Sequence, residues 1–276
     1  MQLFIAPTFA MKLNPNHAIG VTLKLAYQRF KAYGLSNPPT LNAGFASISS
    51  DATKLTNNGY DNSWGYGIGL GWTGQITPTL TLGATYQSRT WMTKFDKYKG
   101  LFAEQGDFDI PENYGVGLAW KATPALTVAA DIQRINYGDV KSIANPLAFP
   151  PGSGQLLGND GGSGFGWQDM TVYKLGVSYD VNQNLTLRAG YSTGDQPIPN
   201  SQTFFNILAP GVVEDHVTLG ATYKLPNNAE LSFAYMHAFE KSVNGSGSIP
   251  AAGFGGGEAN IKMYQDSFGV AYGMKF

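Results

Sequence analysis

The sequence predicts an all-β chain, an antiparallel transmembrane β-barrel of about eleven strands, and three observations carry that prediction. Only 13% of the 276 residues are Asp, Glu, Lys or Arg, while aromatics make up another 13% and glycine contributes 35 residues. An ordinary soluble domain carries about 25% charge, so water-facing surface is scarce, and abundant Gly with bulky rings disfavours a helical bundle. Apolar residues recur at every second position between turn signals, and the intervening positions are mostly Gly, Ala, Thr and Ser. A soluble sandwich would instead place several charges on its outer face. The connections, finally, alternate between tight turns and long Gly/Pro/Ser/Asn-rich segments, as periplasmic turns and extracellular loops do in a barrel.

The elements follow in order. Residues 2–13 put Leu3, Ile5, Phe9, Met11 and Leu13 on one face, and 17–31 set Ile19, Val21, Leu23, Leu25 and Tyr27 against Ala18, Gly20, Thr22, Lys24, Ala26 and Gln28. In 63–74, Trp64, Tyr66, Ile68, Leu70 and Trp72 stand opposite Gly65, Gly67, Gly69 and Gly71. In 79–95, Leu80, Leu82, Ala84 and Tyr86 stand opposite Thr81, Gly83, Thr85, Gln87 and Arg89, and 110–121 repeats the arrangement with Tyr114, Val116, Leu118 and Trp120. Strands at 125–137, 169–180, 185–194, 214–224, 229–241 and 262–276 complete the set. Aromatics at the ends of the apolar rows read as girdles at the bilayer boundary. Asn14-Pro15-Asn16, Gln75 to Pro78, Ala122-Thr123-Pro124, Asn182-Gln183-Asn184 and Pro226-Asn227-Asn228 read as tight turns, because Pro presets φ and Asn or Thr oxygens accept local backbone bonds. The segments 32–62, 96–109, 138–168, 195–213 and 242–260 read as extracellular loops, and 43–54 as a short helix with Ser47, Ser50 and Asp51 on its wetter side.

Several classes are excluded. No run reaches the roughly 18 apolar residues of a transmembrane helix. With no cysteine and three scattered histidines, neither a disulfide framework nor a metal site is expected, and no cofactor is. Net charge of −1 removes nucleic acid as a default partner. No Ser/His pair shares a face, Gly245-Ser246-Gly247 lacks the strand-to-helix turn of a nucleophile elbow, and Gly253 to Gly257 lacks the Lys of a phosphate loop, so the chain is not expected to be an enzyme.

Both terminal strands should run toward the turn side and would pair in parallel, whereas single-chain bacterial barrels hold an even number of strands. Residues 1–276 are therefore expected to be one partial barrel domain, with Met1 internal to a longer protein; residues 1–13 carry no basic n-region or cleavage site. Phe268, Val270, Tyr272, Met274 and terminal Phe276 resemble the closing-strand signal read by the outer-membrane barrel insertion machinery.

Ala6-Pro7-Thr8, Lys12-Leu13-Asn14-Pro15, Ala26-Tyr27-Gln28-Arg29-Phe30, Leu55-Thr56-Asn57-Asn58-Gly59-Tyr60-Asp61, Ile110-Pro111-Glu112-Asn113-Tyr114-Gly115 and Gln133-Arg134-Ile135-Asn136-Tyr137 resemble the FadL/TodX family. Gly166-Trp167-Gln168-Asp169 and Leu187-Arg188-Ala189-Gly190-Tyr191 extend the resemblance along the chain. It implies a bacterial outer-membrane transporter of long-chain fatty acids or other hydrophobic compounds, built as a barrel of about fourteen strands with an N-terminal hatch. The hatch and the first strands would then be absent from this chain. The 32–62 and 96–109 loops would form a first-contact groove for hydrophobic ligands.

Candidate ligand-binding residues come from two places. Alternation points Lys24, Arg89, Lys174 and Arg188 into the lumen, where a fatty acid needs a cation for its carboxylate. The same parity sends Asp131, Glu214 and Glu230 inward, so these cations equally read as ion-pair braces of the wall. In the loops, Leu35, Leu41, Phe45, Ile48 and Leu55, with Tyr98, Leu101, Phe102 and Phe108, are apolar where water is expected; they either bind a ligand or pack on one another. Glycines 65 to 71 leave room for a hatch or ligand tail, or mark tight wall curvature. Two function classes remain: a channel for hydrophobic compounds with loop capture and lumen binding, or a structural or general-diffusion barrel. A truncated relic is a third reading.

Overall fold

The computed structural model describes residues 1–36, 44–150, 154–226 and 229–274. Leu41, Asn227, Asn228 and Phe276 lie outside the described residues. One antiparallel sheet accounts for nearly all regular structure. β1 (Gln2–Ile5) and β2 (Thr8–Asn14) both pair with β3 (His17–Phe30), and a single register runs through them, Gln2 opposite Gln28 and Thr8 opposite Thr22. The expected strand 2–13 is thus one ribbon, interrupted because Pro7 has no N–H to donate, although its carbonyl still accepts from Leu23 N at 3.0 Å.

The sheet continues through β4 (Asp61–Gln75), β5 (Leu80–Gln87), β6 (Trp91–Met92), β7 (Asn113–Lys121), β8 (Leu126–Ile135) and β9 (Met170–Asp180). It finishes with β10 (Leu185–Gly194), β11 (His216–Lys224), β12 (Glu230–Val243) and β13 (Ile261–Gly273). The expected strand 79–95 is divided. Its register against β4 shifts by one residue between Gly69–Gln87 and Gly65–Met92, so an extra residue bulges out between β5 and β6. Ser88 holds the bulge: its N donates to Ile68 O at 2.8 Å and its Oγ accepts from Ile68 N at 2.9 Å.

Four of the short turns use one device. The side-chain oxygens of Asn14, Thr77, Thr123 and Asn182 each accept from the backbone N–H groups two and three residues on, at 2.9–3.3 Å. These side chains mimic the backbone of a turn and preset the reversal.

Outward rows such as Val21, Leu23 and Leu25, or Leu219 and Phe233, are exposed, whereas the opposite face buries Lys24, Ala26 and Gln28. No pairing joins β13 to β1 or β2 among the described residues, so both edges stay open rather than meeting in parallel. The sheet nevertheless curls into a barrel wall. Phe45, after β3, meets Phe254, before β13, with ring centroids 5.1 Å apart.

The loops over that end form the main apolar core. The expected helix at 43–54 is instead two 3-10 turns, Gly44–Ile48 and Ala52–Lys54. Ser49, Ser50 and Asp51 interrupt it because their side chains serve other partners: Ser49 Oγ donates to Gly100 O at 2.7 Å, Ser50 Oγ to Leu157 O at 2.8 Å, and Asp51 caps Thr53 N at 3.2 Å. Of the residues expected on a wet face, Ser50 and Asp51 tie this loop to its neighbours, Asp51 through Lys99 at 3.6 Å, while Ser47 bonds Gly44 O within its own turn.

Candidate functional site: a polar lumen belt under an apolar loop cap

Three confluent cavities line the inner wall. The first, about 410 Å³, lies among Phe4, Thr8, Thr22, Lys24, Gln87 and Asn113. It shares Thr85, Gln87 and Asn113 with a second of about 510 Å³ that reaches Asp131, Gln133 and Lys174. Asp131 and Lys174 pass it to a third, about 700 Å³, lined further by Ser178, Arg188, Ser192 and Thr218. The wall between the charged groups is Gly, Ala and Thr, as the alternation requires.

Lys24, Lys174 and Arg188 therefore share one belt. Lys24 Nζ donates to Gln87 Oε1 at 3.1 Å and stands 5.6 Å from the Phe4 ring centroid. Lys174 Nζ donates to Gln133 Oε1 at 2.8 Å, and Arg188 Nη1 to Thr222 Oγ1 at 2.7 Å. No carboxylate comes within ion-pair distance of any of the three among the described residues. Asp131 is the register partner of Lys174, yet Lys174 reaches past it to Gln133. Gly117 makes room for Asp131, since a Cβ there would collide with its carboxylate. Glu214 pairs with Lys241 rather than with a lumen cation.

Arg89 stands apart from the belt and is a brace. Sitting at the bulge, its Nε meets Asp109 Oδ2 at 2.5 Å, its Nη2 lies 3.6 Å from Asp107 Oδ2, and its Nη1 donates to Asp139 O at 2.8 Å. Asp109 also accepts from Met92 N at 2.6 Å, which fixes β6. Neither aspartate stood out in the sequence, because both fall in a loop where parity has no meaning. Burial, reinforced by Asp109, pushes the Asp107 carboxyl up to about 6 against the attraction of Arg89.

The loop candidates converge. Leu55, Leu101 and Phe102 are fully buried in one cluster with Leu35, Ile48, Phe95, Tyr98, Leu157, Phe165 and Phe205, and Phe45 and Phe108 pack against it half-buried. Phe108 meets Phe102 at 4.7 Å, and Phe45 stacks on Phe204 at 5.3 Å. The apolar side chains thus pack on one another. Later loops contribute Leu157, Phe165, Phe204, Phe205 and Phe254, whose only sequence signal is an apolar or aromatic side chain inside a Gly/Pro/Ser/Asn-rich segment. The cap is also strained: Glu104 and Gln105 both have φ near +56°. Glu104 N to Asn159 O and Gln105 N to Gly158 O, each 2.8 Å, hold them there.

The glycine row divides by height. A Cβ on Gly65 would strike Met92 Sδ and Trp91 O, and one on Gly67 would press on Thr90, so the chain's own bulge fills the upper space. Gly71 meets nothing within 4 Å.

A family described as outer membrane protein transport protein (OMPP1/FadL/TodX) matches residues 2–275. The chain belongs to this family. No curated protein matches the sequence. Among solved structures it is similar to the toluene transporter TodX of Pseudomonas putida, with 20% identity, 98% of this chain and 68% of that one covered, and a TM-score of 0.62. It is also similar to the toluene transporter TbuX of Ralstonia pickettii (18%, 98% and 66%, 0.60) and to a Pseudomonas aeruginosa FadL homologue (16%, 98% and 66%, 0.62). At these identities the likeness shows the fold.

As a FadL/TodX protein the chain belongs in the outer membrane, and the exposed outer rows are what a barrel of this family presents to lipid. No helix among the described residues is long and apolar enough to cross a membrane; the strands cross it. Membership makes the chain an outer-membrane transport protein for hydrophobic compounds.

Proposed function

We propose that the chain forms the passage of a channel for passive uptake of hydrophobic molecules that carry an anionic head, long-chain fatty acids foremost. One observation supports this reading above the others: Lys24, Lys174 and Arg188 share a lumen belt of Gly, Ala and Thr, bonded to neutral oxygens and unmatched by carboxylates among the described residues. Lys24 is buried while Lys174 and Arg188 are open to the lumen, and each, bonded to a neutral oxygen with no carboxylate within ion-pair distance, keeps its charge for an incoming carboxylate. The same feature weighs against a general-diffusion barrel, whose lumen charges need no apolar surroundings. Capture belongs to the reading as well: half-buried Phe45 and Phe108 sit at the margin of the cap, above Leu55, Leu101 and Phe102, where an incoming tail can replace ring contacts.

A second reading, an uncharged aromatic cargo, draws on the names of TodX and TbuX as toluene transporters. One titration separates the two. The full protein is titrated with a long-chain fatty acid and with the alcohol of equal length, as wild type, Lys174→Ala and Arg188→Ala. Loss of a charge-assisted bond should weaken the acid by about 1.5–3 kcal/mol, or about 10- to 150-fold, and the alcohol much less. Equal weakening of both, or none, would assign the cations to the wall and the cargo to the uncharged class.

A further inference from the structure

The outer rim carries a site of its own. Along β3 the outward row passes from Val21, Leu23 and Leu25 through Tyr27 to Arg29, and Lys31 follows just past the strand's end. At about 3.4 Å of rise per strand residue, Arg29 stands about 7 Å beyond the girdle residue Tyr27, and Lys31 lies on the same side of it. Tyr27 is locked at that level by a 2.6 Å bond from its hydroxyl to Asn62 Oδ1 and by ring contact with Trp64 at 4.6 Å. The cations stand where the hydrocarbon ends and lipid headgroups begin.

Both converge on one ring. The Arg29 guanidinium lies 3.6 Å from the Tyr60 centroid and Lys31 Nζ 4.6 Å from it, while Lys97 Nζ donates to Tyr60 O at 2.7 Å. Neither Arg29 nor Lys31 has an ion-pair partner among the described residues. Asp61, the acid that follows Tyr60 in sequence, accepts instead from the backbone N–H groups of Asn62 and Lys97 at 2.9 and 2.8 Å. A guanidinium held over a ring keeps its in-plane N–H groups free for a bidentate anion. Elsewhere the same rim is acidic and already satisfied: Tyr86 bonds Glu112, Tyr191 bonds Asp215, Tyr235 bonds Asp266, and Arg134 pairs with Asp169.

We propose that Arg29 and Lys31, stacked on Tyr60 with Lys97 beside them, bind the phosphate monoester of an outer-leaflet lipid headgroup. The ring orients the cations at headgroup depth, the neighbouring girdle takes the acyl region, and charge-assisted bonds hold the phosphate.

The test uses the full protein in detergent, measuring binding of a lipid A that bears phosphate monoesters, its dephosphorylated form, and inorganic phosphate as competitor. Arg29→Gln/Lys31→Gln should weaken the phosphorylated lipid at least about tenfold, Tyr60→Leu should weaken it several-fold, and the dephosphorylated lipid should bind wild type no better than the double variant. Lys262→Gln, which removes a rim lysine already paired with Glu240 at 3.1 Å, should change nothing. Retention of the heat-modifiable electrophoretic form shows that each variant is folded. Binding unchanged in the double variant, equal binding of the dephosphorylated lipid, or an equal loss in Lys262→Gln would overturn the proposal. Displacement by inorganic phosphate at concentrations equal to the lipid would overturn the lipid assignment in favour of free phosphate.

Discussion

The Tyr98 hydroxyl donates to Gly59 O at 2.6 Å and accepts from Ala32 N at 3.0 Å, so one buried side chain ties both ends of the neighbouring loop. Its ring meets Phe30 edge-on at 4.9 Å. Tyr98→Phe keeps the packing but leaves a partly buried donor and acceptor without this partner, which should cost the cap about 0.5–1.5 kcal/mol, read as a lower thermal midpoint with the strands intact. Asp107 supplies a pH-dependent counterpart. Its folded carboxyl titrates near 6 against an ordinary value of 3.8, because burial, then Asp109, disfavours the charge. Between those values the folded cap binds more protons than the unfolded chain, so this group's contribution is present at low pH and lost as pH rises through about 6. Asp51 acts in the opposite sense, since its bond from Thr53 holds its carboxyl below the usual range. The difference between wild type and Asp107→Asn isolates Asp107: wild type should lose cap stability relative to the variant as pH rises from 4 toward 7. A flat difference would show Asp107 to be as well solvated as a surface acid.

At the scale of elements, the row from Gly65 to Gly71 does two jobs. Gly65→Ala drives a methyl into the β6 backbone and should dislodge the bulge with its Arg89 anchor, whereas Gly71→Ala points into open lumen and should be silent. Loss of the heat-modifiable form in the second variant, or its retention at full thermal stability in the first, would contradict this. Leu55→Ala, emptying a fully buried position of the cap, should cost about 2–5 kcal/mol. The strands were legible because one apolar row per ribbon must face lipid, which leaves a period of two in the sequence; even the interrupted first ribbon keeps its register across Pro7. The bulge at Ser88 was not legible, since a serine that bonds its neighbour's N–H resembles any strand serine. Lys24, Lys174 and Arg188 followed from parity, but Arg89 sits where the extra residue cancels parity. The cap was read in part: Phe45 and Phe102 signalled an apolar loop, while partners more than a hundred residues away left no periodic trace.

The whole molecule is an open sheet curled on itself, with β1, β2 and β13 each paired on one side among the described residues. Amides of β13 that point away from β12 should exchange with solvent rapidly in detergent, while those of β9 and β10, bonded on both sides, should resist. Uniform protection of β13 would mean that something else covers its edge. The cap has a mechanical consequence. At one rim, aromatic loops from the front and back of the sheet are clasped together, Phe45 on Phe254 and Ser49 bridging Leu157. At the other rim, four of the hairpins are closed within themselves, each by an Asn or Thr oxygen and local backbone bonds, and among the described residues no side-chain bond links one of these turns to another across the opening. Hoop tension therefore acts at the mouth alone, as in a spring clip gripped at one end. Splaying of the two free edges should begin at the turn rim and travel toward the clasp, opening the gap between them as a wedge that is widest away from the cap.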